Sequence, residues 1–376
     1  MTRAVVIHYS LNLCGGGERV CLYTIQVLNE LGVDVDLITG EKTLWYKVQR
    51  LIDVPVKISR EIVVSRKLVQ KFSIYNKLWT SYRVLSICRK YDLTVNTSHE
   101  TLLVPADVVY VHFPHIIFLK DTYEYWHSLS KYYSSALWRM YFEPYRLGME
   151  ALSESVKNSI LIANSTYTAE KVRKYIRSKV FIIHPPVQVE KYIKLSENED
   201  RKDVVITIAR YTREKNLELI PVVASRCRDL TFIIAGSVHS EDSMKILRKL
   251  LYMREKLNLK NLKLLVNVPE NLKIRLLSIA KLYLHPMIGE HFGIAVVEAM
   301  ASGLVPIVHK SGGTWIDILE YGKYGLGYET VDECVEAIYR ALERYHTLRK
   351  LCIARSLEFS ERRFMQRMKV IIGKLL

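Results

Sequence analysis

Strand-like and helix-like segments alternate through this chain, pause at a polar stretch, and then alternate again. In the first run Ala4 to Tyr9 reads as a buried strand, Val20 to Leu31 as a helix and Val33 to Thr39 as a strand. Val54 to Ile58, Leu93 to Asn96, Val108 to Val111, Ser159 to Ala163 and Val180 to Ile183 are further strand candidates. The second run places strands at Val204 to Ile208, Thr231 to Ala235, Leu262 to Val266, Leu282 to Leu284 and Leu304 to Val308, with helices between them. Such a rhythm predicts parallel sheets covered by helices. A chain of 376 residues also exceeds what one core usually serves, about 250–300 residues. The expected architecture is α/β: two Rossmann-like domains facing each other across a cleft. The proline pair after His184 and the charged tract Ser196 to Asp203 mark a linker. The boundaries read as residues 1–184, linker 185–203, residues 204–360, and a C-terminal helix over 361–376 that packs back on the first domain.

Several classes drop out early. No uncharged apolar run reaches the ~18–20 residues of a membrane span, and the apolar start is too short for a signal peptide. Six scattered cysteines have no paired spacing, so free thiols in a reducing cytoplasm are expected, with no metal site and no cofactor. The sequon Asn164-Ser165-Thr166 then reads as a helix cap.

The formal charge of +16 is uneven. Residues 41–90 hold 12 Lys/Arg and 3 acids, so +9 of the +16 sits in 50 residues. A helix expected over Ser65 to Tyr91 mixes Lys67, Lys71, Lys77 and Arg83 with Phe72 and Trp79, a pattern suited to an anionic membrane surface. An ordinary helix with a solvated basic face has the same pattern. Asp121 to Lys157 reads as helix-rich and aromatic, either packed core or a surface for sugars and lipid.

The densest chemistry lies in Gly289 to Gly303. Glu290 sits on a loop, Gly293 can open a helix, and Glu298 lies about one turn inside it; Gly303 stops it. Free N–H groups at the helix start suit a phosphate, and two carboxylates at different depths can hold different hydroxyls of one ligand. Ser311-Gly312-Gly313 follows the next strand. Elsewhere, Gly15, Gly16 and Gly17 follow the first strand and permit close approach to backbone. His112 ends a strand, where open parallel sheets bind ligands. Arg210 and Lys215 share one loop after another strand and can grip a diphosphate. Asn267, just past a strand, is placed to meet a base through its backbone.

Together these motifs resemble those of family-4 retaining glycosyltransferases with the GT-B fold. The run Glu290-His291-Phe292-Gly293-Ile294, the Glu298 that follows and Ser311-Gly312-Gly313 are similar to GDP-mannose α-1,2-mannosyltransferases that extend lipid-linked oligosaccharides. So are the N-terminal Gly-Gly-Gly-Glu-Arg context, the Tyr110-Val111-His112 run and the Arg210 to Asn216 turn. The resemblance implies a nucleotide-sugar donor, GDP-mannose or another, gripped by Gly15, Gly16, Gly17, Arg210, Lys215, Asn267, Glu290, His291, Phe292, Gly293, Ile294 and Glu298. It implies reaction at Glu290, His112, Arg210 and Lys215, by front-face displacement without a metal. Glu290 would hold the sugar and Glu298 the ribose. The acceptor would be a glycan or lipid-linked oligosaccharide, the location cytoplasmic and peripheral on the membrane, and nucleic acid not a partner. A UDP-sugar transferase acting on protein or DNA, a UDP-N-acetylglucosamine epimerase and a non-enzymatic basic module stay open. The Asp34-Val35-Asp36 spacing falls inside a strand and reads as incidental.

Overall fold

The structure is a computed structural model that describes residues 2–64, 73–114, 130, 132–176 and 179–376. It divides into two compact units, residues 1–186 with 362–376, and residues 187–361. Each is built on one parallel sheet.

Among the described residues the first unit holds seven strands: β1 (Arg3–Ile7), β2 (Asp34–Thr39), β3 (Arg60–Val63), β4 (Leu93–Asn96), β5 (Val108–Val111), β6 (Ile160–Ala163) and β7 (Val180–Ile182). Their order is β3-β2-β1-β4-β5-β6-β7. The second holds six: β8 (Lys202–Ile208), β9 (Thr231–Gly236), β10 (Leu262–Val266), β11 (Ala280–His285), β12 (Val305–His309) and β13 (Leu326–Tyr328), ordered β10-β9-β8-β11-β12-β13. In both sheets the winding reverses next to the first strand, at β1/β4 and at β8/β11. The carboxyl ends of strands flanking such a reversal open a crevice that helices do not cover. Most of the site residues described below lie on the loops at those two points.

The central strands read as near-continuous apolar runs because both faces are covered. Ala4, Val5, Val6 and Ile7 are all fully buried, as are Leu282, Tyr283 and Leu284. Ser165 caps the helix Thr166–Tyr175 by accepting from the Thr168 N–H at 3.0 Å, so the sequon residues serve as a helix start. In β2, Asp36 is buried and bonded by Tyr91, Arg60 and Arg3, while Asp34 accepts from Ser59. The Asp-Val-Asp spacing is thus consumed by local structure.

Two expectations need correction. Residues 185–203 are no free linker. Val187, Val189 and Tyr192 lie in the core of the second unit, and Arg201 is buried against five carbonyls, those of Leu195, Asn198, Leu277, Ala280 and Ser302. The charges of that tract hid it. Val54 to Ile58 is not a strand: Trp45–Ile52 is a helix ending at left-handed Asp53, Pro55 has no N–H to pair, and β3 begins only at Arg60 opposite Asp36. The C-terminal helix expected over 361–376 is observed as Glu361–Ile372, and extended Ser360 separates it from Tyr345–Ser356 and the short turn Leu357–Phe359. The C-terminal helix buries Phe364, Met368 and Ile372 in the core of the first unit. Of the two basic and aromatic helices, Ser73–Cys88 and Ala136–Val156 are observed; Lys67, Lys71, Phe72 and residues 115–129 lie outside the described residues.

Candidate active site

In the second unit the loops after β8 and β11, the strands at the winding reversal, meet in one buried ion pair. Lys215 Nζ lies 2.6 Å from Glu290 Oε2, with the two side chains only 17% and 13% exposed. Lys215 comes from a short turn, Arg213–Lys215, closed by Asn216 in the left-handed region, which Asn tolerates. Asn216 Nδ2 then donates to Pro286 O at 3.2 Å and ties this loop to the one after β11.

Three further contacts fix Glu290. His285, the last residue of β11, places Nε2 3.1 Å from the same Oε2. Glu290 Oε1 faces its neighbour's His291 N–H at 3.2 Å, and the Glu290 carbonyl accepts from Gly313 N–H at 2.7 Å. Burial by itself would raise the Glu290 pKa. The hydrogen bond from His285 and the charge of Lys215 outweigh it and hold the carboxyl well below the usual range. Glu290 is therefore a fixed anion.

The loop around it demands glycine twice. Gly312 has φ +73°, and a Cβ there would collide with the Glu290 backbone. Gly293, at φ +101°, caps the helix Ile294–Ala301, and a Cβ there would meet Thr314 Cγ2. The Gly289 N–H donates to Ser311 Oγ at 2.8 Å, completing the lock between the two loops.

The other predicted residues divide clearly. Glu298 is buried inside the helix, 2.8 Å from Lys273 Nζ, which also donates to Tyr192 Oη at 2.9 Å. Burial works against the Lys273 charge, but Glu298, Tyr192 and Glu270 outweigh it and raise its pKa. Arg210 is exposed, with its guanidinium 3.8 Å from Glu214. Phe292 is 3% exposed and packs edge-on against Phe359 at 5.5 Å, so its ring belongs to the core. Ile294 packs partly against that same core, and His291 is half-buried. Asn267 is exposed and left-handed; its Oδ1 accepts from Val238 N–H at 3.0 Å, which joins the ends of two strands.

In the first unit Gly15 caps the helix Gly16–Glu30, and Glu18 reaches back to the Gly15 N–H at 2.7 Å. Gly17 faces two imidazoles: a Cβ there would touch His112 Nε2 at 3.5 Å and His8 Cε1 at 3.7 Å. His112 Nε2 donates to Thr97 O at 3.1 Å, and His8 Nδ1 lies 3.0 Å from Thr97 Oγ1. Burial lowers the His112 pKa, so the neutral imidazole is favoured, able to exchange a hydrogen bond with a hydroxyl. The glycine loop after β1 and the ends of β4 and β5 thus meet beside the first sheet's winding reversal.

Sequence reasoning passed over His285, Lys273, Tyr192, His8 and Thr97. For His285 the signal was present. It ends an apolar strand in the same way as His112, and the strand-end argument applied to both. Lys273 and Tyr192 come together through residues 81 apart, which no local pattern reveals.

Residues 188–356 match the family described as "Glycosyl transferases group 1", and residues 14–191 match "Glycosyltransferase Family 4". A Dictyostelium discoideum protein named GDP-Man:Man(3)GlcNAc(2)-PP-Dol alpha-1,2-mannosyltransferase is 28% identical over 229 residues, 55% of this chain and 45% of the relative. Its Caenorhabditis elegans counterpart is 30% identical over 201 residues, 48% of this chain and 43% of the relative. The matched stretch therefore spans under half the length of these relatives. Among solved structures, Anabaena HepE in complex with UDP and glucose superposes with a TM-score of 0.71 at 15% identity, covering 99% of this chain and 100% of the other. Sucrose-phosphate synthase of Thermosynechococcus elongatus gives a TM-score of 0.72 at 15% identity, covering 100% and 99%. By its two matched families, its paired parallel sheets and these likenesses, the chain has the GT-B fold and belongs to the family-4 glycosyltransferases.

Proposed function

We propose that this chain is a retaining hexosyltransferase that moves mannose from GDP-mannose to a lipid-linked oligosaccharide at the cytoplasmic face of a membrane. The observation that carries the reading is the buried Lys215–Glu290 pair at the winding reversal of the second sheet. The names of the relatives supply the sugar, the base and the acceptor.

The chemistry asks for two things from these residues. When the bond between the sugar C1 and the diphosphate breaks, negative charge develops on the leaving oxygen. Lys215, Arg210 and the free N–H groups at the start of the helix Ile294–Ala301 stabilise that charge as fixed dipoles and cations. The acceptor oxygen bonds to C1 on the face the diphosphate leaves, and its proton passes to the departing phosphate oxygen. Glu290, held ionised, accepts hydrogen bonds from sugar hydroxyls and supports the positive charge that builds at C1. In the first unit the reading assigns His112 to a hydroxyl and the Gly15 to Gly17 loop to a phosphate. Glu298 takes the ribose, in exchange with Lys273. No step in this scheme assigns work to a metal or to any further cofactor.

No helix among the described residues is long and apolar enough to cross a membrane. On the helix Ser73–Cys88, Lys77 and Trp79 are exposed, Trp79 by 59%. They are the described part of the basic, aromatic segment that would meet an anionic bilayer.

A screen of nucleotide sugars by thermal shift tests the reading. GDP-mannose and GDP should stabilise the protein, and slow GDP-mannose hydrolysis should follow. Stabilisation by UDP-glucose or UDP-N-acetylglucosamine alone would replace the donor.

A further inference from the structure

Resting on the transferase reading, we infer that His285 is a positioning residue for Glu290: it keeps Oε2 of that carboxylate occupied, so that Oε1 alone faces the sugar and Lys215 can turn to the diphosphate. The argument begins with a conflict. Lys215 is asked to serve two anions, the Glu290 carboxylate and the donor diphosphate. An ammonium has three N–H groups. One points at Glu290 Oε2 at 2.6 Å and another at Met287 Sδ at 3.1 Å. Drawing the ammonium toward a phosphate weakens its hold on Glu290. A carboxylate on a loop would then swing freely, and its hydrogen bonds to the sugar would lose their direction.

His285 prevents this. It is the last residue of β11, a strand paired on both sides, with β8 and β12. Its side chain is 4% exposed, and its ring is stacked with that of Tyr283 at 6.3 Å between centroids. Tyr283 is itself anchored by its hydroxyl to Ile208 O at 3.0 Å. The imidazole is therefore rigid, whereas Glu290 is not part of a strand or helix. Its tautomer also follows from its surroundings. Nδ1 is buried with no hydrogen-bond partner among the described residues, and Nε2 faces the carboxylate. A proton on Nδ1 would leave both a buried donor unpaired and two lone pairs opposed, so the neutral ring carries its proton on Nε2.

Both donors converge on Oε2, and the two oxygens are thereby made unequal. Among the described residues Oε1 meets only the His291 N–H, at 3.2 Å, and it retains lone-pair capacity for a hydroxyl. A lysine alone, on a flexible stem, could pair with either oxygen. The fixed imidazole decides which one. Specificity for sugar orientation then depends on a residue that never touches the sugar.

Two measurements test this. In ligand-free protein, long-range proton–nitrogen NMR of the imidazoles should show His285 as the Nε2–H tautomer, with its ring proton protected from exchange. That proton should lose protection in Glu290→Ala and keep it when GDP is added. This arm needs no turnover and stands apart from the donor assignment; an Nδ1–H tautomer would overturn the inference. In the kinetic arm, with GDP-mannose, His285→Leu should lower kcat by roughly 100-fold while the GDP dissociation constant moves less than about threefold. His285→Gln, which restores an N–H near the Nε2 position, should recover at least tenfold of that loss. Equal defects in the Leu and Gln variants, or a loss of GDP binding matching the loss of kcat, would make His285 merely structural and overturn the inference. If no donor turns over in wild-type protein while the NMR signature is present, the transferase reading fails and the His285–Glu290 lock stands.

Discussion

Glu298 and Glu290 are eight residues apart in sequence, yet each is paired with its own lysine: Lys273 at 2.8 Å for the first and Lys215 at 2.6 Å for the second. Two acids that look like repeats of one feature thus carry different partners. Glu290 faces the loop between strands; Glu298 is inside a helix, with its side chain 6% exposed.

Their alanine variants should separate. Glu290→Ala should abolish transfer and keep GDP affinity within a few fold. Glu298→Ala should weaken GDP binding and also unfold the second unit more easily, because it strands the Lys273 charge. Breaking a buried pair by removing one partner costs about 3–5 kcal/mol. Glu298→Gln, which keeps a hydrogen-bond acceptor, should separate the binding effect from the stability effect. Calorimetric GDP titration beside thermal melts checks both; identical loss of binding in the two alanine variants with unchanged turnover would refute the division.

The Lys215 and Arg210 variants should differ in stability and agree in activity. Each should cost on the order of 2–4 kcal/mol of transition-state stabilisation, as for other preorganised charge partners. Arg210 is exposed beside Glu214, so Arg210→Ala should leave the melting temperature unchanged. Lys215→Ala uncovers a buried carboxylate and should lower it. EDTA should leave turnover intact; full loss on chelation restored by manganese would exclude the metal-free scheme.

Acid should weaken the fold through Glu290. Its folded pKa is depressed, since the His285 hydrogen bond and the Lys215 charge outweigh burial. A depressed carboxyl contributes stability that is complete above its unfolded pKa, about 4.3, and is lost as pH falls toward the folded value. The stability difference between wild type and Glu290→Gln should therefore be constant from pH 7 to 5.5 and shrink steadily below pH 4. Urea titrations at several pH values measure it; a difference that grew on acidification would contradict the sign.

The membrane contact should be reversible by salt. Lys77→Glu with Trp79→Ala should reduce sedimentation with phosphatidylglycerol vesicles at low ionic strength, each basic residue near such a surface being worth about 1 kcal/mol. Hydrolysis of the donor without acceptor should not change. Equal recovery of wild-type protein in the supernatant with and without vesicles would remove the membrane from the account.

The legible parts of this molecule were the ones written in periodic or short-range pattern. Buried parallel strands such as Ala4 to Ile7 announce themselves as apolar runs, and Gly293 and Gly312 mark turns that only glycine makes without strain. What stayed hidden was decided by partners distant in sequence. The tract around Arg201 reads as solvated because its charges are local, while the carbonyls that satisfy Arg201 come from as far as Ser302. Phe292 sits inside the ligand motif, yet Phe359 draws its ring into the core. The strand β13 is three residues long with a glycine in the middle, too short to carry a periodicity. At the site itself, the acid and the lysine were readable, but their pairing and the histidine behind them required the fold.

The central claim is that the Lys215–Glu290 site transfers mannose from GDP-mannose. The most direct measurement is transfer of labelled mannose from GDP-mannose to a lipid-linked oligosaccharide, comparing purified wild-type protein with Glu290→Ala and Lys215→Ala. The account predicts label in the lipid fraction with wild type and at least a 100-fold loss in each variant. Undiminished transfer by either variant, or transfer from UDP-glucose with none from GDP-mannose, would contradict it.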